Sequence, residues 1–117
     1  MTVDYNTIAK NLKFEGRAFI NGKYVDAIDG EKFENINPAT GEVLCTVAKC
    51  NHKDVDLAVK VSRKAFNSGA WSRTSPEFRK DVLLKFAELL RQTGEENSVL
   101  ECVDTGKLIG DCINEVA

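Results

Sequence analysis

The sequence has 117 residues, 43% hydrophobic and 29% charged, an ordinary globular balance that excludes collagen, a coiled-coil array or a disordered tail. Lys and Arg number 16 and Asp and Glu 18, for a formal charge of −2. So even a balance gives no electrostatic footprint for nucleic acid or an anionic membrane.

The opening, Met1-Thr2-Val3-Asp4-Tyr5-Asn6, has no basic n-region and no apolar h-region, so it does not read as a secretory signal. Residues 1–16 read as a polar arm. Next come strand-like pairs, Phe19-Ile20 and Tyr24-Val25, on either side of Asn21-Gly22. Asn-Gly predicts a tight hairpin because both residues tolerate positive φ. Asp29-Gly30 predicts a second turn. Lys32 to Asn37 reads as a strand with Phe33, Asn35 and Asn37 on one face and Glu34 and Ile36 on the other. Pro38-Ala39-Thr40-Gly41 reads as a turn. Val43 to Ala48 is the next strand, apolar on both faces, and such a strand expects cover on both sides.

The pattern then changes to a period of 3.6. Asn51 is the expected cap of a helix over 52–68, with Asp54 near its positive end. Val55, Val59, Ser62 and Phe66 make its apolar stripe, widened by Ala58 and Ala65. Thr74 and Glu77 have capping-box spacing and Pro76 suits a first turn. The helix they open carries Phe78, Val82, Phe86 and Leu89 as its expected inner face, with Leu83 and Leu90 beside it. Thr93-Gly94-Glu95-Glu96 ends that helix and, by a second capping-box spacing, opens a third, which ends near Thr105-Gly106. Ile109, Ile113 and Val116 begin a fourth stripe that runs to the last residue without a stop signal.

Several residues invite chemical readings. Asp104-Thr105-Gly106 is the triplet of aspartic proteases, but it follows a helical run where a protease needs a β-loop; a helix end with Gly beyond it is the plainer reading. Gly106-Lys107 echoes a phosphate loop but has Glu101 and Leu108 where that motif needs Gly and Ser or Thr. Cys45, Cys50 and His52, with Cys102 or Cys112, contain the atoms of a zinc site without a standard spacing. A Cys–His nucleophile needs a third orienting group, and none is marked. The expectation is therefore four reduced thiols in a cytoplasmic protein, a solvated His52 and a packing role for Trp71. Chemistry alone reaches a soluble α+β domain.

The order of short motifs takes the reading further. Phe19-Ile20-Asn21-Gly22, Asn37-Pro38-Ala39-Thr40-Gly41-Glu42-Val43, Asp54-Val55-Asp56-Leu57-Ala58-Val59, Ala65-Phe66, Trp71, Arg79, and Leu100-Glu101 through Asp104-Thr105-Gly106-Lys107 follow one another as in the N-terminal region of the aldehyde dehydrogenase superfamily. Together they resemble it from about residue 17 to 114. Ser75-Pro76 and Arg79-Lys80 look most like the gamma-glutamyl-aminobutyraldehyde and related aminoaldehyde dehydrogenases. Leu108 stands where the family commonly has Pro.

The resemblance implies an α/β fold of aldehyde dehydrogenase type: a β-hairpin layer followed by three to four helices, an incomplete part of the nucleotide-binding domain. Residues 1–16 would be an arm and 17–117 the N-terminal part of that domain, truncated before the cofactor and catalytic motifs. The family reaction oxidises an aldehyde to the acid with NAD or NADP, through a cysteine thiolate, a glutamate base and an Asn in the oxyanion site. The motifs that carry those three residues and the cofactor loop do not occur here. The resemblance therefore assigns this chain no catalytic residue and no cofactor-binding residue, and it implies that the chain alone binds neither NAD nor NADP. Homo-oligomers are expected of the full-length enzyme only. One family site does reach this stretch: a monovalent cation held by carbonyl and carboxylate oxygens, here at Asn35, Ile36 and Asp104, with a further ligand from beyond residue 117. The competing class is a stand-alone interaction module that lacks the enzyme's activity.

Overall fold

Asn21 and Gly22 both take positive φ, 56° and 78°, and so reverse the chain between β1 (Ala18–Ile20) and β2 (Lys23–Val25). The strands pair antiparallel, with Ala18 opposite Val25, Phe19 opposite Tyr24 and Ile20 opposite Lys23. The Phe19 and Tyr24 rings meet edge to face at 5.2 Å, a favourable cross-strand pair. This computed structural model describes residues 3–116, and side chains of 3–115.

β3 (Lys32–Ile36) and β4 (Val43–Ala48) form a second two-stranded sheet. Its turn closes where the Gly41 N–H donates to the Asn37 carbonyl at 2.8 Å and the Asn37 N–H to the Glu42 carbonyl at 2.9 Å. Gly41 takes φ 75° there, a conformation that costs glycine nothing. Five helices complete the order: α1 (Tyr5–Asn11), α2 (His52–Ser68), α3 (Pro76–Gln92), α4 (Gly94–Thr105) and α5 (Ile109–Val116).

The stretch expected to be a polar arm thus contains α1, capped by Asp4, whose carboxylate accepts from the Thr7 N–H at 3.1 Å. Residues 1 and 2, also assigned to the arm, lie outside the described residues. At α2 Asn51 caps as expected, its Oδ1 accepting from the Lys53 N–H, and Asp54 goes further than a first-turn acid by completing a capping box, its Oδ2 accepting from the Asn51 N–H. Two other caps differ from expectation. Ser75, not Thr74, caps α3, accepting from the Phe78 N–H at 3.2 Å, because the Thr74 hydroxyl is spent on the Trp71 carbonyl at 2.7 Å. Thr93 makes no side-chain cap at α4; its hydroxyl donates to the Leu89 carbonyl at 3.0 Å instead.

The described residues divide into two units, 3–14, 35–45 and 84–116 in one and 15–34 and 46–83 in the other. In the first, α4 packs on α1 and α5. Ser98, Val99 and Cys112 are its buried centre, and the Ser98 hydroxyl is satisfied by the carbonyls of Gly94 and Cys112. In the second, α2 packs against β1, and Ile20, Ala27 and Asp54 are buried.

The apolar faces read from periodicity are present but not covered. Val55, Val59 and Phe66 on α2, and Phe78, Val82, Leu83, Phe86, Leu89 and Leu90 on α3, are all exposed. Periodicity reports which side of a helix is apolar; it does not supply the element that lies against it. On β4, Val43 is exposed and Leu44, Cys45, Val47 and Ala48 are half-buried. In the final stripe Ile109 and Ile113 are half-buried, and the Val116 side chain lies outside the described residues.

Candidate functional site

The corner between β3 and the end of α4 is built by two sequence motifs that meet in the first unit. Asn35 sits half-buried on β3. Asp104 sits in the last turn of α4, which stops at Gly106 because that residue takes φ 75° and its N–H returns to the Cys102 carbonyl at 3.0 Å. The two side chains, 69 positions apart, join directly: Asn35 Nδ2 donates to Asp104 Oδ1 at 2.5 Å. Pro38, from the turn after β3, lies against Gly106, where an added Cβ would come within 3.0 Å of the ring. The glycine is thus required twice, by its left-handed conformation and by the proline beside it.

The link after α4 is held by a clasp. Lys107 Nζ donates to Glu101 Oε1 at 2.6 Å and to Glu115 Oε2 at 2.7 Å, joining α4 to α5. The hydrogen bond to Glu101, then that to Glu115, pushes the Lys107 ammonium above its ordinary range. Lys107 in turn holds Glu115 below the usual carboxylate range. The groups are largely exposed, so the clasp fixes geometry more than it adds stability. The Cys102 thiol donates to the Lys107 carbonyl at 3.1 Å, closing the same corner.

Of the three residues expected at a cation site, the structure brings Asn35 and Asp104 together and leaves Ile36, next along β3, 42% exposed. Their amide, carboxylate and backbone carbonyls supply oxygen donors of the kind a hard cation takes. Every helix start among the described residues carries a carboxylate, Asp4, Asp54, Glu77, the pair Glu95 and Glu96, and Asp111, each placed to match the positive end of its helix.

The remaining candidates take ordinary places. Asp104-Thr105-Gly106 is a helix end and its left-handed cap. Cys45 is half-buried on β4; Cys50 is exposed, and so is His52, the first residue of α2. Among the described residues no three His, Cys, Asp or Glu side chains gather as a metal site. Trp71 meets Phe78 edge to face at 6.4 Å and so anchors the start of α3. Reading the sequence missed the Lys107 clasp. Its signal, acids six before and eight after a lysine, means nothing until the turn at Gly106 brings the two helices together.

Comparison with known proteins places this corner in context. Residues 24–117 match the aldehyde dehydrogenase family. The chain is 45% identical over 109 residues to aminoacetaldehyde dehydrogenase of Pseudomonas aeruginosa, covering 93% of this chain and 22% of that protein. Among solved structures it is similar to the indole-3-acetaldehyde dehydrogenase of P. syringae in complex with NAD+ (TM-score 0.91, 48% identity, 94% of this chain and 22% of that one). It is also similar to gamma-glutamyl-gamma-aminobutyraldehyde dehydrogenase of Burkholderia cenocepacia (TM-score 0.90, 44% identity, 93% and 22%). The chain spans about a fifth of the length of the curated relatives it matches.

Proposed function

The chain belongs to the aldehyde dehydrogenase family, and from that premise we propose that it serves as the N-terminal part of an NAD(P)-dependent enzyme that oxidises an aminoaldehyde to its acid. The observation that carries the proposal is a fold agreement at TM-score 0.90 or above, with identity near one half, to enzymes named for aldehyde oxidation, one of them holding NAD+. When bound, the nicotinamide accepts the hydride. This chain's own contribution is support: α4, its glycine stop and the Asn35–Asp104 pair hold a fixed corner, and Asn35, Ile36 and Asp104 offer a monovalent cation its oxygens. Assembly of the complete enzyme into homo-oligomers belongs to the same proposal. So does a cytoplasmic location, which suits four cysteines that are all free.

A chimaera tests this. The P. aeruginosa aminoacetaldehyde dehydrogenase is made with this chain in place of its own matching segment, on one polypeptide. Aldehyde-dependent reduction of NAD+ by the chimaera is expected, and none by the 117-residue chain. A soluble chimaera that binds NAD+ but does not turn over would overturn the assignment, as would reproducible turnover by the chain alone.

A further inference from the structure

We propose that Asn21 is a site of spontaneous covalent modification: its side-chain amide closes on the Gly22 nitrogen to an imide, and water opens that imide to isoaspartate and aspartate within the turn of the β1–β2 hairpin.

The bonds balance without a redox partner. The Gly22 nitrogen forms a bond to Asn21 Cγ while the Cγ–Nδ2 bond breaks, and ammonia leaves carrying the Gly22 proton. Water then adds to one of the two imide carbonyls. Opening at Cγ leaves aspartate. Opening at the main-chain carbonyl leaves isoaspartate, in which the chain runs through the side chain.

The turn meets each need of the first step. Attack is easiest when the next residue has no side chain, and Gly22 is the one glycine in the sequence that follows an asparagine. Attack also needs a nitrogen and an amide that are not engaged elsewhere. Among the described residues neither the Gly22 N–H nor the Asn21 side chain makes a hydrogen bond. Both residues are exposed, and nothing lies within 4 Å of the place a Gly22 Cβ would take. The backbone is half-way to the ring as well. An imide eclipses Cβ with the Gly22 nitrogen, which sets the Asn21 ψ at about −120°; with a positive φ, that is the first central position of a type II′ turn. Asn21 already has φ 56°. The present turn has the two positive φ values of type I′, and types I′ and II′ are the pair that two-residue hairpins use. Rotating one peptide unit therefore reaches the ring with the strands still paired.

Other pairs in the chain are closed to this chemistry. Asp29-Gly30 could form the same ring, but Asp29 Oδ1 accepts from the Glu31 N–H at 3.0 Å, Oδ2 accepts from Asn51 Nδ2 at 2.6 Å, and the Gly30 N–H donates to the Ala27 carbonyl at 2.8 Å. Asn67-Ser68 lies inside α2 and Asn97-Ser98 inside α4, where Asn97 Nδ2 donates to Thr93 Oγ1 at 2.9 Å. Asn37 precedes Pro38, which has no N–H to give up. The product also acts on the fold. Isoaspartate adds a methylene to the main chain of a two-residue loop, and loop length fixes hairpin register, so the Ile20–Lys23 and Phe19–Tyr24 pairs should loosen.

The test ages the 117-residue chain in mildly alkaline buffer, and in the same buffer with urea. Peptide mass spectrometry follows each asparagine, heavy-oxygen water marks the opened imide, and electron-transfer fragmentation separates isoaspartate from aspartate. Both products are expected at Asn21, at a rate within about threefold of that in urea, because an exposed turn opens at almost no cost. Asn67 and Asn97 should convert about tenfold or more slowly in the folded chain than in urea, because a helix must open first. Should they convert equally fast in both, the covalent chimaera takes the chain's place in the same comparison. Asn21→Gly keeps a Gly-Gly turn and should show no conversion in that peptide. Hydrogen exchange across residues 18–25 should quicken in the aged chain and stay unchanged in aged Asn21→Gly. Protection of Asn21 by about tenfold or more in the folded state would overturn the proposal. So would aspartate formed without isoaspartate, or exchange that is unmoved after conversion.

Discussion

The Asp54 carboxylate ties the first turn of α2 to the chain 26 residues earlier: Oδ1 accepts from the Ile28 N–H at 2.8 Å while Oδ2 accepts from the Asn51 N–H at 2.9 Å. Asp54 is 3% exposed, so both donors would be left unsatisfied without it. Asp54→Ala should lower the unfolding temperature by about 5–10 °C, as the loss of two partly buried hydrogen bonds implies. The bond from Asn51, then that from Ile28, holds the carboxyl below its ordinary value of 3.8. A depressed folded-state value stabilises fully above the unfolded value and is lost as pH falls through the folded one. Thermal scans of Asp54→Asn from pH 7 to pH 2 should therefore approach the unaltered chain below about pH 4, and parallel curves throughout would contradict this.

Gly16 and Gly106 should respond differently to alanine. A Cβ on Gly16 would lie 2.0 Å from the Thr46 carbonyl oxygen, in a backbone contact where the Ala48 N–H donates to the Gly16 carbonyl at 2.7 Å. Neither side can yield without breaking the strand edge. At Gly106 the cost is the left-handed conformation, about 1–2 kcal/mol, plus a slight push on Pro38. Denaturant titration should rank Gly16→Ala well below Gly106→Ala, and the reverse order would refute the contact.

A cation at Asn35, Ile36 and Asp104 should appear as an ion-specific gain in stability, since a ligand that binds only the folded state stabilises it by mass action. At constant ionic strength, potassium or sodium should raise the unfolding temperature relative to choline, most clearly in the chimaera. Asp104→Ala should abolish that difference. Equal curves in all three salts would remove the site.

Thiol labelling should separate the cysteines. Burial pushes the Cys112 thiol up and it is 0% exposed, so it should react only on unfolding. Cys50 is exposed, and although desolvation, then the acids Asp54 and Asp29, raises its thiol too, access should make it the first to react near pH 9. Denatured, unreduced protein should titrate four thiols, and fewer would indicate a disulfide.

The chain by itself should be marginal and prone to associate. Val55, Val59 and Phe66 would each contribute about 1.5–3 kcal/mol if buried, a large part of a typical total of about 5–15 kcal/mol. The exposed residues of α3 add to that unrealised burial. Dye binding, a broad low transition and concentration-dependent scattering are expected. A strict monomer with a sharp transition above about 60 °C would count against it.

What the sequence by itself determined is local. The limits of α2 at 52 and 68, the Asn21-Gly22 reversal, the span of β4 and the glycine end of α4 all follow from interactions within a few residues: a capping side chain, a positive φ, a run of apolar positions. Tertiary structure decided the rest. Thr74 and Ser75 are equally good caps on paper, and only the Trp71 carbonyl, which engages the Thr74 hydroxyl, gives α3 to Ser75. Asn35 and Asp104 are grouped in the sequence only by family resemblance; nothing in their spacing shows that the fold closes 69 positions to 2.5 Å. Asp54 was legible as a first-turn acid but not as the partner of Ile28. The open faces of α2 and α3 mark the same divide. Amphipathicity is written into residue spacing, but what a face packs against depends on groups distant in sequence, and one-dimensional periodicity carries no information about them.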